Sequence, residues 1–353
     1  MSKNNIEKIR LATVSKTDLP NAAESSSRKG YVSWGKKNDF PNEVFKLYNE
    51  CPTFSSIVSA IRDYVLGDGI EFKSFRADGT LNRKGDTIET LVMRIVIDKV
   101  VFGGYAIEVI RNRFNNIAEL NWLDLRNVRV SEEDETVYIS KGFSTGQRTE
   151  VYQYPIFKKD GNDSVSVYYD KGMNTRGIYP VADWIGCLKD LKIMSEISNY
   201  NLNNILNNFT PSVIFNFNNG SNLPDDVMDE IETKIYEKFV GTDTAGRFML
   251  SFNDDREHGL DVERLPDDGL ETKYAFLAEN TLKNIYSAFR INPILLGYNQ
   301  ENIGFNNQEF ESAFKLFNKT VIQPIQREIT ETISKRLGLD EPTFQPFTIK
   351  FNE

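Results

Sequence analysis

One apolar stripe constrains this chain more than any other feature. Phe310, Phe314, Phe317, Val321, Ile325, Ile329, Ile333 and Leu337 recur every three or four residues, holding one face of a helix over almost thirty residues and stopping at Gly338. Pro324 lies inside it. Proline has no N–H to give and crowds the carbonyl four residues earlier, so Thr320 loses its partner and the helix is expected to kink there. A stripe at this spacing reads as structural core, not as a ligand box.

The elements before it fall into a definite order. Residues 1–30 are polar and read as a loosely held arm, with room for one edge strand near Ile9–Val14. Phe54, Ile57, Val58, Ile61 and Val65 mark a helix begun by Pro52 and closed by Gly67 and Gly69. A second helix, from about Thr87 to Phe102, ends at Gly103-Gly104. Tyr105, Ile107 and Val109 then alternate as in a strand, a turn at Asn115-Asn116 leads to Ile117–Leu123, and short strands follow near 128–130, 137–139, 151–157 and 165–169. The first 180 residues therefore read as an α+β unit with a mostly antiparallel sheet. From Val181 a helix of nearly thirty residues runs to Pro211, and its lower half has six asparagines in ten residues (199–208). Asparagine is a mediocre helix former, so packing must hold that segment. A small unit follows, with strands at 213–217, 248–252 and 260–264 and a helix at 225–239. A helix to about Arg290 and a loop from Asn292 to Gln308 lead into the stripe; the tail offers one strand at Phe347–Phe351.

Composition narrows function. A formal charge of −9 and a pI near 5.0 argue against tight, sequence-independent DNA binding, which needs clustered Lys and Arg, but not against a protein that touches DNA without holding it. No apolar run reaches a membrane span: the best, Arg94–Ile110, carries Asp98, Lys99 and Glu108. MSKNNIEKIR lacks the apolar core of a signal peptide, and Cys51 and Cys187 read as buried thiols in a reducing compartment. The expectation is a soluble protein made in the cytoplasm. The single histidine, His258, lowers the prospect of acid–base chemistry.

Candidate sites were weighed against plainer readings. Asp254, Asp255, Glu257, His258 and Asp261 could hold a divalent cation, but their spacing fits no calcium loop, and a solvated turn is the simpler reading. The run Ser131–Glu135 reads as a charged loop. Gly103-Gly104 precedes a strand and so lacks the helix dipole of a phosphate loop. An enzyme with paired carboxylates, a nuclease or glycosidase, would draw on Asp254, Asp255, Asp267 and Asp268, but no Lys or His set accompanies them. The segment Asn292–Gln308 is more specific. It holds seven amides (Asn292, Asn299, Gln300, Asn302, Asn306, Asn307 and Gln308), one charge, Glu301, and no Lys or Arg. Amides hydrogen-bond phosphate briefly without the counterion-release affinity of a basic groove, so such a surface lets a duplex slide; a solvated polar loop is the plainer alternative.

The order of parts resembles the portal proteins of tailed bacteriophages, the head–tail connectors. VFGGYAIEVIRNRFNNIAELNWLDLRNVRV (101–130) is similar to the family's segment in which a small-residue pair precedes a strand, a turn and a second strand. LKNIYSAFRINPILLGYNQENIGFNNQEFESAFKLFNKTVIQPIQREI (282–329) is similar to its Ala-Phe-x-x-x-Pro-x-Leu-Leu-Gly element, Asn-rich loop and helix with a central proline. The resemblance covers roughly 50–340, and the short tail after Gly338 departs from it.

The resemblance implies an α+β wing at 31–181, stem helices at 182–211 and 271–291, and a clip at 212–270. It also implies a tunnel loop at 292–308 lining the channel with Asn299, Gln300, Asn302, Asn306, Asn307 and Gln308, a long kinked helix at 309–338 and a short tail at 339–353. It further implies a closed ring, typically of about twelve copies, at one capsid vertex of a virion made in a bacterial cytoplasm. The partners implied are the terminase large subunit, a head–tail adaptor, the major capsid and scaffold proteins, and double-stranded DNA passing through non-specifically. No cofactor or catalytic residue is implied, and the chain has no Gly-x-x-x-x-Gly-Lys-Ser/Thr phosphate loop. A different ring or adaptor of a phage tail or secretion system is the nearest competing reading.

Overall fold

The computed structural model describes residue 20 and residues 22–26, 30–173, 177–206, 213–218, 227, 248–253, 270–298 and 307–348. The N-terminal half is a mixed layer of helices and small sheets. Helix α1 (Phe40–Glu50) and helix α2 (Pro52–Leu66) each begin with a proline in the first turn, where a missing N–H costs nothing. Helix α3 (Ile88–Phe102) is capped by Thr87, whose hydroxyl accepts the Thr90 N–H.

The sheet is not one surface but several. Strands β4 (Tyr105–Arg111), β5 (Ile117–Leu123) and β9 (Val165–Asp170) form one antiparallel sheet with β4 central. Strands β6 (Val128–Val130), β7 (Thr136–Ile139) and β8 (Tyr152–Pro155) form another, joined to the first by a bridge from Ile156 to Val167. The expected Asn115 turn closes β4 onto β5, and Asn115 takes φ +64° there.

Two expectations at the chain ends change. Within the polar arm, β1 (Glu24–Ser26) pairs antiparallel with β2 (Val32–Trp34), and the Glu24 carboxylate accepts the N–H groups of Ile178 and Tyr179. The segment 9–14 lies outside the described residues. In the tail, the strand is β12 (Thr343–Gln345), paired with β3 (Gly69–Glu71); Phe347 follows it and packs against Tyr64 instead of starting a strand. Gly67 makes this pairing feasible: a Cβ there would lie 2.0 Å from the Gln345 carbonyl oxygen.

The core centres on aromatic contacts between distant segments. Trp34 stacks on Tyr179 at 4.5 Å, and Phe54 meets Trp184 and Phe289. Arg129 is fully buried with no carboxylate beside it. It donates to the Asn38, Arg126 and Val128 carbonyls and to Asn38 Oδ1, and burial pulls its pKa down to about 10.

Gly103-Gly104 has a packing role. Gly103 ends α3 at φ +91°, and a Cβ on Gly104 would lie 2.2 Å from the Asp170 carbonyl oxygen and 3.0 Å from Pro180. Gly104→Ala is therefore expected to cost about 3 kcal/mol, an overpacking penalty against backbone that cannot swing aside. A thermal melt of the variant matching that of the wild type would show the backbone yields there.

Helix α5 (Leu188–Leu206), led by a 3₁₀ turn at Asp183–Cys187, packs beside helix α6 (Leu270–Ala288), and Asn284 donates to Asp190 between them at 2.8 Å. Strands β10 (Val213–Asn218) and β11 (Phe248–Asn253) lie between these helices in sequence and pair in parallel, an arrangement that requires a crossover. The expected helix at 225–239 and strand at 260–264, which would complete that unit, lie outside the described residues. No helix among the described residues is long and apolar enough to cross a membrane.

The long helix is broken where proline predicts, and once more. Helix α7 (Asn307–Phe317) passes into a π-helical turn at Asn318–Ile322, then helix α8 (Gln323–Glu331), then a second π turn at Thr332–Arg336. Proline's missing N–H is absorbed by widening the turn before it, with Gln323 N–H reaching back to the Asn318 carbonyl.

Candidate functional site: a loop rooted at both ends on one helix

The amide-rich segment leaves the body through an unusual helix end. After α6, Arg290 N–H donates to the Ser287 carbonyl and Ile291 N–H to the Tyr286 carbonyl. This is the Schellman closure, in which the left-handed position is usually glycine. Here Arg290 takes it, at φ +54°. A non-glycine residue pays for that conformation with roughly 1–2 kcal/mol, so its side chain must be held. Its guanidinium donates to Asp183 Oδ2 at 3.2 Å and to the Thr320 carbonyl at 3.5 Å. Thr320 is the carbonyl that Pro324 deprives of its helical partner. The proline break in one helix and the strained end of the other thus satisfy each other.

The chain then turns through a short 3₁₀ helix, Pro293–Leu296, capped by Asn292, whose side chain accepts the Ile294 N–H at 3.0 Å. Gly297 follows at φ +73°. Leu295 is buried, and its carbonyl accepts the Tyr64 hydroxyl at 2.7 Å. On the far side of the segment, Phe314 and Phe317 of α7 pack on the same Tyr64 ring at 5.5 and 6.0 Å, and Phe347 closes on it at 4.8 Å. Tyr64 therefore anchors both roots of the segment to α2.

The predicted channel residues divide. Asn299, Gln300, Asn302 and Asn306 lie outside the described residues. Asn307 and Gln308 correct the expectation of a loop: they are the first two residues of α7, both exposed. An amide-rich run gives no sign of where a helix begins, because asparagine serves both as cap and as loop residue. The carboxylates weighed for catalysis or cation binding, Asp254, Asp255, Glu257, His258, Asp261, Asp267 and Asp268, also lie outside the described residues. Asn292, counted only as an amide, serves as a cap.

Behind the roots, a polar cluster fastens the long helix to the sheet. Lys99 meets Glu328 at 2.5 Å and Asp170 at 3.9 Å, while Arg336 meets the other Asp170 oxygen at 3.5 Å and donates to the Tyr168 hydroxyl at 2.8 Å. The Thr332 hydroxyl, at the start of the second π turn, bonds the hydroxyls of Tyr105 and Tyr168 at 2.8 and 3.3 Å. Burial raises both tyrosines, Tyr168 to about 12, so they act as neutral hydroxyls at physiological pH. Sequence reading missed this cluster because its members come from four segments far apart in the chain.

The fold and its rooted loop define a connector-type subunit in which long helices flank a compact α+β body. The phage portal protein family profile matches residues 83–353, and the chain belongs to that family. The fold is also similar to a chain in the virion of a native gene transfer agent particle, at 15% identity and TM-score 0.56, covering 86% of this chain and 83% of that one. A chain from the neck of the native particle, computed with C12 symmetry, matches at 16% identity and TM-score 0.53, covering 84% and 81%. An HK97-family phage portal protein from Corynebacterium diphtheriae matches at 10% identity and TM-score 0.50, covering 86% and 94%. A search of curated protein sequences finds no match.

Proposed function

We propose that this portal protein assembles as a closed ring at one capsid vertex and is the conduit through which double-stranded DNA enters and leaves. The observation that carries this reading is the two-ended anchoring of 299–306 on Tyr64, which presents an amide-rich, nearly uncharged segment from a rigid base. Family membership and likeness to a neck computed with C12 symmetry support it. In this reading the body at 31–181 is the wing, 182–211 and 271–291 are stem, 212–270 is the clip, 292–308 carries the tunnel loop and 309–338 bridges loop to wing.

The clip would meet the terminase large subunit during packaging and the head–tail adaptor afterwards, with capsid and scaffold proteins around the wing. ATP hydrolysis would belong to the terminase. The acidic balance of each copy, multiplied around the ring, would keep a duplex off the walls. In particles assembled with an epitope-tagged chain, gold label is expected at a single vertex. Label at every vertex, or none on intact particles, would refute the vertex assignment.

A further inference from the structure

We infer that neighbouring copies are joined by a knob and socket carried at opposite ends of the same sheet; this rests on the ring reading above. The knob is Phe114, at the tip of the β4–β5 hairpin, where the whole side chain faces solvent at 85% exposure. Its support is rigid. Asn112 Oδ1 accepts the N–H groups of Phe114 and Asn116, and Asn115 donates to the Gly161 carbonyl and Asn162 Oδ1. The Arg111 guanidinium ties the tip to the carbonyls of Asn115, Lys158 and Lys159. A fastened tip loses little freedom when it docks, whereas a loose aromatic would pay for being ordered. Such an investment in displaying an apolar ring to water is otherwise unexplained.

The socket lies at the other end of the sheet. A cavity of about 410 Å³ opens between α3, the start of α5 and the broken helix, floored by Ile61, Trp184, Phe289, Val321, Pro324 and Ile325. Met173, 97% exposed, stands at its mouth with a pliable thioether side chain. The strand register fixes the separation. Tyr105 pairs with Asp170 beside the cavity, while Ile110 pairs with Val165 beside the tip. The seven residues of β4 put about 23 Å between them.

An apolar knob and an apolar socket on different faces of one chain make a heterologous contact, the kind that repeats head to tail and closes when the rotation allows. The charges agree. Arg113, exposed next to the knob, has no partner among the described residues. At the socket, the Asp183 carboxylate pairs with Arg290 yet stays 63% exposed, with lone pairs available to a second guanidinium.

The test places one cysteine at the knob, Phe114→Cys, and one in the cavity wall, Ala288→Cys, in the full chain. The native Cys51 and Cys187 are both buried, so a short bismaleimide has little else to react with. The double variant is expected to give a ladder of covalent multimers, an equal mixture of the two single variants dimers only, and each single variant monomers only. Phe114→Ala is expected to weaken association on the order of 30-fold per contact, as for the loss of an interface hot spot, while Phe114→Leu keeps most of it. Rings visible by electron microscopy without a ladder, and undiminished in Phe114→Ala, would overturn the knob and socket while leaving the ring standing. Neither rings nor ladder would overturn both.

Discussion

Replacing Tyr64 with alanine is expected to cost about 3–5 kcal/mol, the range for emptying a buried aromatic site. The local consequence is larger than the number. Tyr64 is 8% exposed, and its hydroxyl holds Leu295 on one root of the loop while its ring carries Phe314, Phe317 and Phe347 on the other. Losing it frees both roots at once. Tyr64→Phe separates the two contributions: it keeps the ring and removes only the bond to the Leu295 carbonyl, for about 1 kcal/mol. Hydrogen exchange should show residues 293–296 and 310–317 losing protection together in the alanine variant, and only 293–296 in the phenylalanine variant. Independent behaviour of the two roots in Tyr64→Ala would mean that they do not share this anchor.

The second large effect is on function. Asn306→Lys combined with Asn307→Lys is expected to leave ring assembly intact and to slow DNA translocation about tenfold or more at low salt, because lysines turn a sliding surface into one that binds phosphate. Asn307 is exposed in the first turn of α7, so no packing is lost there. A cation at a helix N-terminus costs only about 0.3–1 kcal/mol. The salt dependence identifies the cause. Counterion release makes the new contacts weaken steeply as salt rises, so packaging should recover toward the wild-type rate between roughly 50 and 200 mM salt. Wild-type packaging rates at low salt would remove these positions from the channel wall. A slow rate that salt does not relieve would point to damaged structure.

Much of the fold was legible because it is local. The apolar stripe, Pro324, the Gly103 stop, the Asn115 turn and the β4–β5 alternation are written in neighbouring residues, and the portal resemblance rests on their order. What escaped is long-range. Pro324 predicts that the Thr320 carbonyl loses its partner, but not that Arg290 takes it up from another helix. Tyr64 reads as one more position on a helix face; its hydroxyl acts on a carbonyl 231 residues away. The tail alternates Phe347, Ile349 and Phe351 and so suggests a strand there, yet pairing with β3 selects Thr343–Gln345, where Gly67 leaves room for the backbone. The amide run Asn299–Gln308 hid the start of α7 because asparagine suits caps and loops alike. The second π turn has no proline to announce it; it coincides with the buried bonds of Thr332 to Tyr105 and Tyr168.

The most direct measurement is negative-stain electron microscopy of the purified full chain, with native mass spectrometry of the same sample. The account predicts rings with an axial hole and one discrete mass that is a whole multiple of 40.5 kDa, about twelvefold if the ring follows the C12 neck whose chain shares this fold. A compact dimer, or an open filament of no fixed length, would contradict it.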